Sequence, residues 1–215
     1  MLRTPMLLAG ALLFGAATAH AIPVLQTYVD GAIYDAQTQS WITSQTDFDL
    51  WIVADVGVNG PLQGVRLVVS YFGLGGTSHF AAMTTSKVTD PSTAATLMLS
   101  QTGTGGHPVL PAHGIFNDAT LHHWEDLYLG DLSLTDSPIG DFNGMQPFPT
   151  SFPDQGEICV YRVHVEGWTK VHFDAYGTTV ADNGRETTWK TPGSHDGQVP
   201  VAPSTWSGVK SLFGR

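Results

Sequence analysis

The chain has little cysteine and no long hydrophobic run. Cys159 is the only cysteine among 215 residues, so these residues contain no pair for a disulfide bond. The longest apolar segment, residues 6–17, is shorter than the ~20 residues that a membrane-spanning helix needs. The sequence therefore predicts a fold stabilised by its own core, with no transmembrane span and with Cys159 as a small buried hydrophobe.

Positive charge is also scarce. The chain has 9 Lys and Arg residues against 19 Asp and Glu residues, a formal net charge of −10. Nucleic acids and anionic lipid surfaces bind through clusters of Lys and Arg, so this balance argues against both as partners.

The N-terminus has the pattern of a secretory signal peptide. Arg3 precedes the apolar segment 6–17, and small residues at Ala19 and Ala21 meet the requirement of signal peptidase. We expect residues 1–21 to be removed, and the protein to be exported to the surface or surroundings of a bacterium.

Most of residues 22–198 alternate between apolar and polar side chains, or are rich in Gly, Pro, Asn and Asp. In residues 47–56, Phe48, Leu50 and Ile52 share one side of an extended chain, and Val65 to Tyr71 repeat the pattern. Short strands separated by turn residues, with no convincing helix, predict an all-β fold. We expect one antiparallel β-sandwich, jelly-roll-like, over residues 22–198.

Residues 156–177 show the clearest alternation. Cys159 to Val165 and Val171 to Ala175 each form an apolar face, which predicts a β-hairpin with its tip at 167–169. In that register Arg162 would pair with Asp174, and His164 with His172. A second tight turn is predicted at residues 182–184 (DNG).

Two other segments have less regular patterns. Residues 102–128 keep no period for long, and a loop of this length indicates either a functional segment or an unrecognised element. Residues 199–215 contain two prolines and then apolar residues at helical spacing, and we interpret them as a linker and a candidate sorting tail.

The predicted hairpin provides the first metal candidate. His164, His172 and Asp174 would share its polar face, with the two imidazoles roughly 5 Å apart, which would suit zinc. A weaker candidate is His122, His123 and Glu125. Neighbours in an extended chain point in opposite directions, so these two histidines are not expected to share one ion.

Calcium is the other candidate ion, with Asp47, Asp49 and Asp55 as its ligands. Solvated acids on a strand and solvated histidines on a sheet are the commoner explanation in each case, so no cofactor is assigned. Exposed tryptophans at positions 41, 51, 124 or 168 would be able to stack on sugar rings, although packing in a core is the commoner use of tryptophan.

The sequence offers little for hydrolase chemistry. It has no Gly-x-Ser-x-Gly motif. Ser194, His195 and Asp196 are consecutive, so their side chains cannot form a triad among themselves.

Several phrases resemble the choice-of-anchor N family of bacterial exported proteins. The quoted residues are 22–28 (IPVLQTY), 129–142 (LGDLSLTDSPIGDF), 172–177 (HFDAYG) and 194–196 (SHD). The resemblance covers about residues 22–197 and implies a surface domain with no known enzyme activity. Members often end in a PEP-CTERM sorting signal. Residues 199–204 resemble that motif loosely, lack its Glu, and are not followed by a hydrophobic helix.

We therefore expect a non-catalytic surface domain with a structural, adhesive or binding role. Its candidate partners are extracellular polysaccharide or cell-surface components. The alternatives are a carbohydrate-binding module, which requires coplanar exposed tryptophans, and a metal-dependent hydrolase, which requires three converging ligands.

Overall fold

A computed structural model describes residues 22–73, 76–85, 96–111, 122–142, 154–191 and 196–199. For residues 77–85 the description covers the backbone and its pairing. The predicted signal peptide, residues 1–21, and residues 200–215 of the predicted tail lie outside the described residues.

The described part of the chain folds almost entirely into strands, with one helical turn, α1 (Val56–Asn59). The strands are β1 (Leu25–Val29), β2 (Ile33–Asp35), β3 (Ser40–Ile42), β4 (Asp47–Ala54), β5 (Leu62–Phe72), β6 (Thr77–Thr85), β7 (Met98–Thr104), β8 (His122–Leu132), β9 (Ser137–Ile139), β10 (Asp154–Glu166), β11 (Lys170–Val180), β12 (Glu186–Lys190) and β13 (Asp196–Val199).

The strands form two sheets. The first sheet has the order β1-β4-β10-β6, and β9 also pairs with β10. The second sheet has the order β2-β3-β13-β11-β5-β8-β7, and β12 also pairs with β11. Among these described strands every pair is antiparallel except β13 with β3. The predicted all-β, antiparallel sandwich is confirmed.

The hydrophobic core lies between the two sheets. Phe48 of β4 and Phe173 of β11 meet edge to face, with ring centroids 5.7 Å apart. Leu50, Ile52 and Leu67 are fully buried beside them, as the alternation of β4 and β5 predicts. Full burial of each such side chain stabilises the fold by about 1.5–3 kcal/mol, so the core stabilises the fold without a disulfide.

The predicted hairpin over residues 156–177 is wrong. β10 pairs with β4 and β6 in the first sheet, whereas β11 pairs with β5 and β13 in the second. Residues 167–169 therefore carry the chain from one sheet to the other. Apolar faces that alternate in the same way can lie side by side in one sheet or face each other across a sandwich, and the sequence pattern is the same in both cases.

Two other predictions on local structure had different outcomes. The tight turn at residues 182–184 is confirmed, because β11 and β12 pair across it and the N–H of Gly184 donates to the carbonyl of Ala181 over 2.8 Å. The irregular stretch 102–128 contains an element that the sequence pattern did not show, since β8 begins at His122 and runs to Leu132.

Candidate functional site on the outer faces of the sandwich

The two histidines of the first metal candidate lie in different sheets. His164 is on β10 and His172 is on β11, each on the outer face of its sheet because their neighbours in sequence face the core. The structure therefore does not bring His164 together with His172 and Asp174. The sequence argument assumed side-by-side pairing of two strands that pair with others instead.

His172 and Asp174 are buried although they lie on an outer face. Their side chains are 1% and 0% exposed, and His172 Nε2 lies 3.4 Å from Asp174 Oδ2. Segment 105–111 lies over this face, where Leu110 packs with Val68 and Trp124. Lys190 holds the same segment in place, because its ammonium group donates a hydrogen bond to the backbone carbonyl of Val109.

Asp126 is the centre of the polar network beneath segment 105–111. Its Oδ2 accepts hydrogen bonds from the Tyr176 hydroxyl at 2.8 Å and from Gln101 Nε2 at 3.0 Å. Its Oδ1 accepts from Arg66 Nη1 at 3.2 Å. His107 Nε2 lies 3.6 Å from Oδ2. One buried carboxylate thus connects β5, β7, β8 and β11 with segment 105–111.

The tautomer of neutral His107 follows from its contacts. Its Nδ1 accepts from the backbone N–H groups of Val109 and Leu110, both at 3.2 Å. The ring proton of the neutral imidazole is therefore on Nε2, which faces Asp126. The ring also packs edge to face on Trp124, with centroids 4.6 Å apart. Both nitrogens of His107 are thus directed at groups of its own domain.

The electrostatics of this network favour an ionised Asp126. Burial raises the pKa of its carboxyl, but hydrogen bonds from His107, Tyr176, Gln101 and Arg66 outweigh burial and leave the pKa below its ordinary value of 3.8. Burial, reinforced by the neighbouring Asp126, raises the pKa of the Tyr176 hydroxyl, so Tyr176 remains a hydrogen-bond donor.

The second metal candidate is divided between two faces of β8. His123 and Glu125 lie on the core side, where His123 stacks on Tyr71 at 5.0 Å and Glu125 Oε2 accepts from the Tyr71 hydroxyl at 3.0 Å. His122 occupies the alternate position of the strand, and its side chain lies outside the described residues. Both faces of β8 are covered here, and polar residues occur on each of them. The strand therefore lacks the alternation of apolar and polar residues that the sequence analysis relied on.

The outer face of the first sheet is polar and open. His164 Nδ1 lies 2.8 Å from Asp47 Oδ1, and His164 Nε2 lies 3.8 Å from Glu166 Oε2. The hydrogen bond to Asp47 raises the pKa of the His164 imidazole and lowers the pKa of Asp47. Beside them Arg162 binds Asp49 with two nitrogens, at 2.7 Å and 3.3 Å.

The candidate calcium ligands are separated by these pairings. Asp47 binds His164 and Asp49 binds Arg162, whereas Asp55 follows the strand, is buried and lies 3.4 Å from the side-chain nitrogen of Asn59. Within the described ranges, no group of three or more His, Cys, Asp or Glu side chains is placed to hold a metal ion.

The candidate tryptophan platform is not formed by the four residues considered. Trp41, Trp124 and Trp168 are 0%, 6% and 8% exposed. Trp51 is half-buried and packs edge to face on Tyr28, at 5.4 Å, and on Phe142, at 6.1 Å. Each of the four indoles therefore packs within the domain.

Two buried polar residues also connect elements, and the sequence pattern did not single them out. Glu157 Oε2 accepts from the backbone N–H groups of Ser133 at 2.6 Å and Leu134 at 2.8 Å, and burial raises the pKa of its carboxyl. Gln26 Nε2 donates to the carbonyl of Gly140 at 2.7 Å, and its Oε1 accepts from the N–H of Phe142 at 3.2 Å. For Glu157 and Gln26 alike, the signal in the sequence is a polar residue within an otherwise apolar strand.

Cys159 is buried and unbridged, and burial raises the pKa of its thiol. This environment fits the expected role as a small core residue, because a reactive cysteine needs an accessible thiolate. In the part of the chain that is described, no helix is long and apolar enough to cross a membrane.

Comparisons with known proteins leave the chain without an assigned family. No family model matches it, and neither does any curated protein. One solved structure with a similarity is AvmM, which catalyses macrocyclization in alchivemycin A biosynthesis. It has a TM-score of 0.32 and 10% identity over 85% of this chain and 92% of that chain.

A second solved structure contains domains D2 and D3 of the major pilin SpaD from Corynebacterium diphtheriae. It has a TM-score of 0.28 and 11% identity over 78% of this chain and 49% of that chain, so the match spans about half of the pilin fragment. Similarities of this size carry no argument about function.

Proposed function

We propose that this protein is an exported, non-catalytic β-sandwich domain with a structural or adhesive role at a bacterial surface. The proposal rests on the structural role of Asp126, which accepts hydrogen bonds from Tyr176, Gln101 and Arg66. A general acid or base must reach the proton that it transfers. Asp126 instead joins four strands, and His107 joins the covering segment to them.

The export part of the proposal rests on the sequence. Residues 1–21 have the charge, apolar segment and small residues of a signal peptide. The resemblance of residues 22–197 to the choice-of-anchor N family supports the same location and a role in surface attachment. Extracellular polysaccharide and cell-surface components are the proposed partners.

Export is tested by expressing the full chain and a variant without residues 1–21 in a Gram-negative host. We expect the full chain to leave the cytoplasm and to begin at Ile22 when its N-terminus is sequenced, and the truncated chain to stay in the cytoplasm. A full-length product that remains cytoplasmic with Met1 or Leu2 at its N-terminus would contradict the proposal.

The surface role is tested by protease treatment of intact cells and by binding of the purified domain to a glycan array and to whole cells. We expect the exported protein to be cleaved on intact cells. Deletion of residues 199–215 should release it into the medium if the tail sorts it, and unchanged fractionation would refute the sorting role. Turnover of a substrate by the purified domain, abolished in an Asp126→Asn variant that still folds, would refute the non-catalytic role.

A further inference from the structure

Segment 105–111 contains a turn whose acceptor is a titratable side chain. His107 Nδ1 accepts hydrogen bonds from the backbone N–H groups of Val109 and Leu110, both at 3.2 Å. Asn and Asp side chains make the same kind of contact in Asx turns. An amide oxygen accepts whatever the pH, whereas an imidazole nitrogen accepts only while it carries no proton. This turn therefore depends on the protonation state of His107.

The surroundings of His107 offer little compensation for a second ring proton. Its side chain is 0% exposed, and its Nε2 lies 3.6 Å from Asp126 Oδ2. That distance exceeds the roughly 2.7–3.2 Å of an N–H···O hydrogen bond. The described charged and titratable groups on this face of the second sheet are Arg66 of β5, Asp126 of β8, His172, Asp174 and Tyr176 of β11, and Lys190 of β12.

Two opposing effects follow when His107 binds a second proton. The N–H groups of Val109 and Leu110 lose their acceptor and face another N–H donor, and a buried donor without a partner is costly. The imidazolium gains attraction to Asp126, but that carboxylate is already paired with Arg66 at 3.2 Å. A fully buried imidazolium also loses its hydration. The closed segment therefore disfavours the doubly protonated ring.

We propose that protonation of His107 opens segment 105–111 in mildly acidic surroundings. Opening lets water solvate the imidazolium and the two released N–H groups. It also removes Leu110 from its contacts with Val68 and Trp124, so that this part of the outer face becomes accessible. Histidine is the side chain that ordinarily changes its charge between about pH 5 and pH 8, so a modest acidification is sufficient. The strands beneath the segment keep their pairing.

Amide hydrogen exchange of the full chain at about pH 7.5 and about pH 5, corrected for the intrinsic pH dependence of exchange, tests the switch. Opening takes up one proton, so its equilibrium constant rises by up to about tenfold per pH unit. We expect the protection of the Val109 and Leu110 amides to fall by at least ~10-fold at the lower pH, while β4 and β10 keep theirs. Unchanged protection of Val109 and Leu110 overturns the proposal.

Substitutions separate the acceptor role of His107 from its titration. In His107→Asn the amide oxygen takes the place of Nδ1 and does not titrate, so the segment should stay protected at both pH values. His107→Ala has no acceptor and should lose protection at both. His164→Asn is the matched control on the first sheet and should respond to pH like the parent. A pH response that persists in His107→Asn, or protection that survives in His107→Ala, overturns the proposal.

Nitrogen-15 NMR of the histidine rings provides a test without any substitution. At about pH 7.5 the His107 ring should carry its proton on Nε2 alone, because Nδ1 is the acceptor. On acidification, protonation of Nδ1 and loss of protection at Val109 and Leu110 should follow one titration curve. Two separate midpoints, or a neutral ring with its proton on Nδ1, overturn the proposal.

Discussion

The hydroxyl of Tyr176 donates a hydrogen bond to Oδ2 of Asp126 over 2.8 Å, although strand β5 separates the strands that carry these residues. In the register, Val68 of β5 lies opposite Asp126, and Arg66 of β5 lies opposite Tyr176. The hydrogen bond therefore ties β11 to β8 over the outer face of β5. It belongs to a network that lies outside the hydrophobic core and is nevertheless buried.

Replacement of Asp126 by Asn should destabilise the fold by about 3–5 kcal/mol. The carboxylate is fully buried and paired with Arg66, and removal of one partner of a buried pair leaves the other charge uncompensated. The amide nitrogen of Asn would also face donors of Tyr176, Gln101 or Arg66. Urea unfolding gives the change in the free energy of unfolding.

The control for Asp126→Asn is Asp182→Asn in the exposed turn between β11 and β12. It makes the same chemical change at an exposed position. We expect it to lower the free energy of unfolding by less than ~0.5 kcal/mol. Equal effects of the two substitutions would mean that the network under segment 105–111 does not stabilise the fold.

The contribution of Asp126 should be lost in acid. Its pKa in the folded protein is lower than its ordinary value of 3.8, so the folded state binds the proton less tightly than the unfolded state. Its stabilising effect is then fully present above the unfolded pKa and disappears as the pH falls through the folded pKa. The difference in free energy of unfolding between the parent and Asp126→Asn should therefore become smaller as the pH falls from about 5 to below 3.8. A difference that stays constant over this range would contradict the assignment.

Gly156→Ala should destabilise the protein by about 1–3 kcal/mol, because β10 approaches its neighbours too closely for a side chain there. A Cβ atom at Gly156 would lie 2.1 Å from the backbone oxygen of Ala54 and 2.5 Å from Ile139 Cδ1. Gly106→Ala is the matched control, since nothing lies within 4 Å of its added Cβ. Thermal unfolding compares the two, and equal melting temperatures would contradict the packing of β10.

Arg162 and Asp49 should show a coupling free energy of about 0.2–1 kcal/mol in a double-mutant cycle to Ala. This range is typical of exposed ion pairs, and Arg162 is half-exposed. The cycle also tests the register, because the hairpin predicted from the sequence placed Arg162 opposite Asp174. A parallel cycle with Asp182 should give no coupling. Absence of coupling to Asp49 would contradict the pairing of β10 with β4.

Local patterns were sufficient for much of the fold. The alternation in residues 47–54 correctly predicted that Phe48, Leu50 and Ile52 face the core. The Asn183-Gly184 pair correctly predicted a tight turn, because these residues tolerate the backbone conformations that such turns need. The beginning of β8 was missed because its His, Trp, Glu and Asp residues meet polar partners or packed rings on both faces.

The candidate site depended on information that local patterns lack. His164 was correctly selected as a residue on a polar face, but its partner was assigned from the nearest strand in sequence. The structure places Asp47 on one side of it and His79 on the other, 117 and 85 residues away in sequence. Asp126 was overlooked for the same reason, since its partners come from four separate segments.

The sequence by itself determined which side of most strands is apolar, and hence the all-β class, because alternation with period two is a property of each strand alone. Only the tertiary structure decided which strands are neighbours. Two apolar faces can be buried side by side or across a sandwich at similar cost, so the choice depends on the packing of the whole chain. That choice separated His164 from His172, placed His164 opposite His79, and buried the polar face of β11 under segment 105–111.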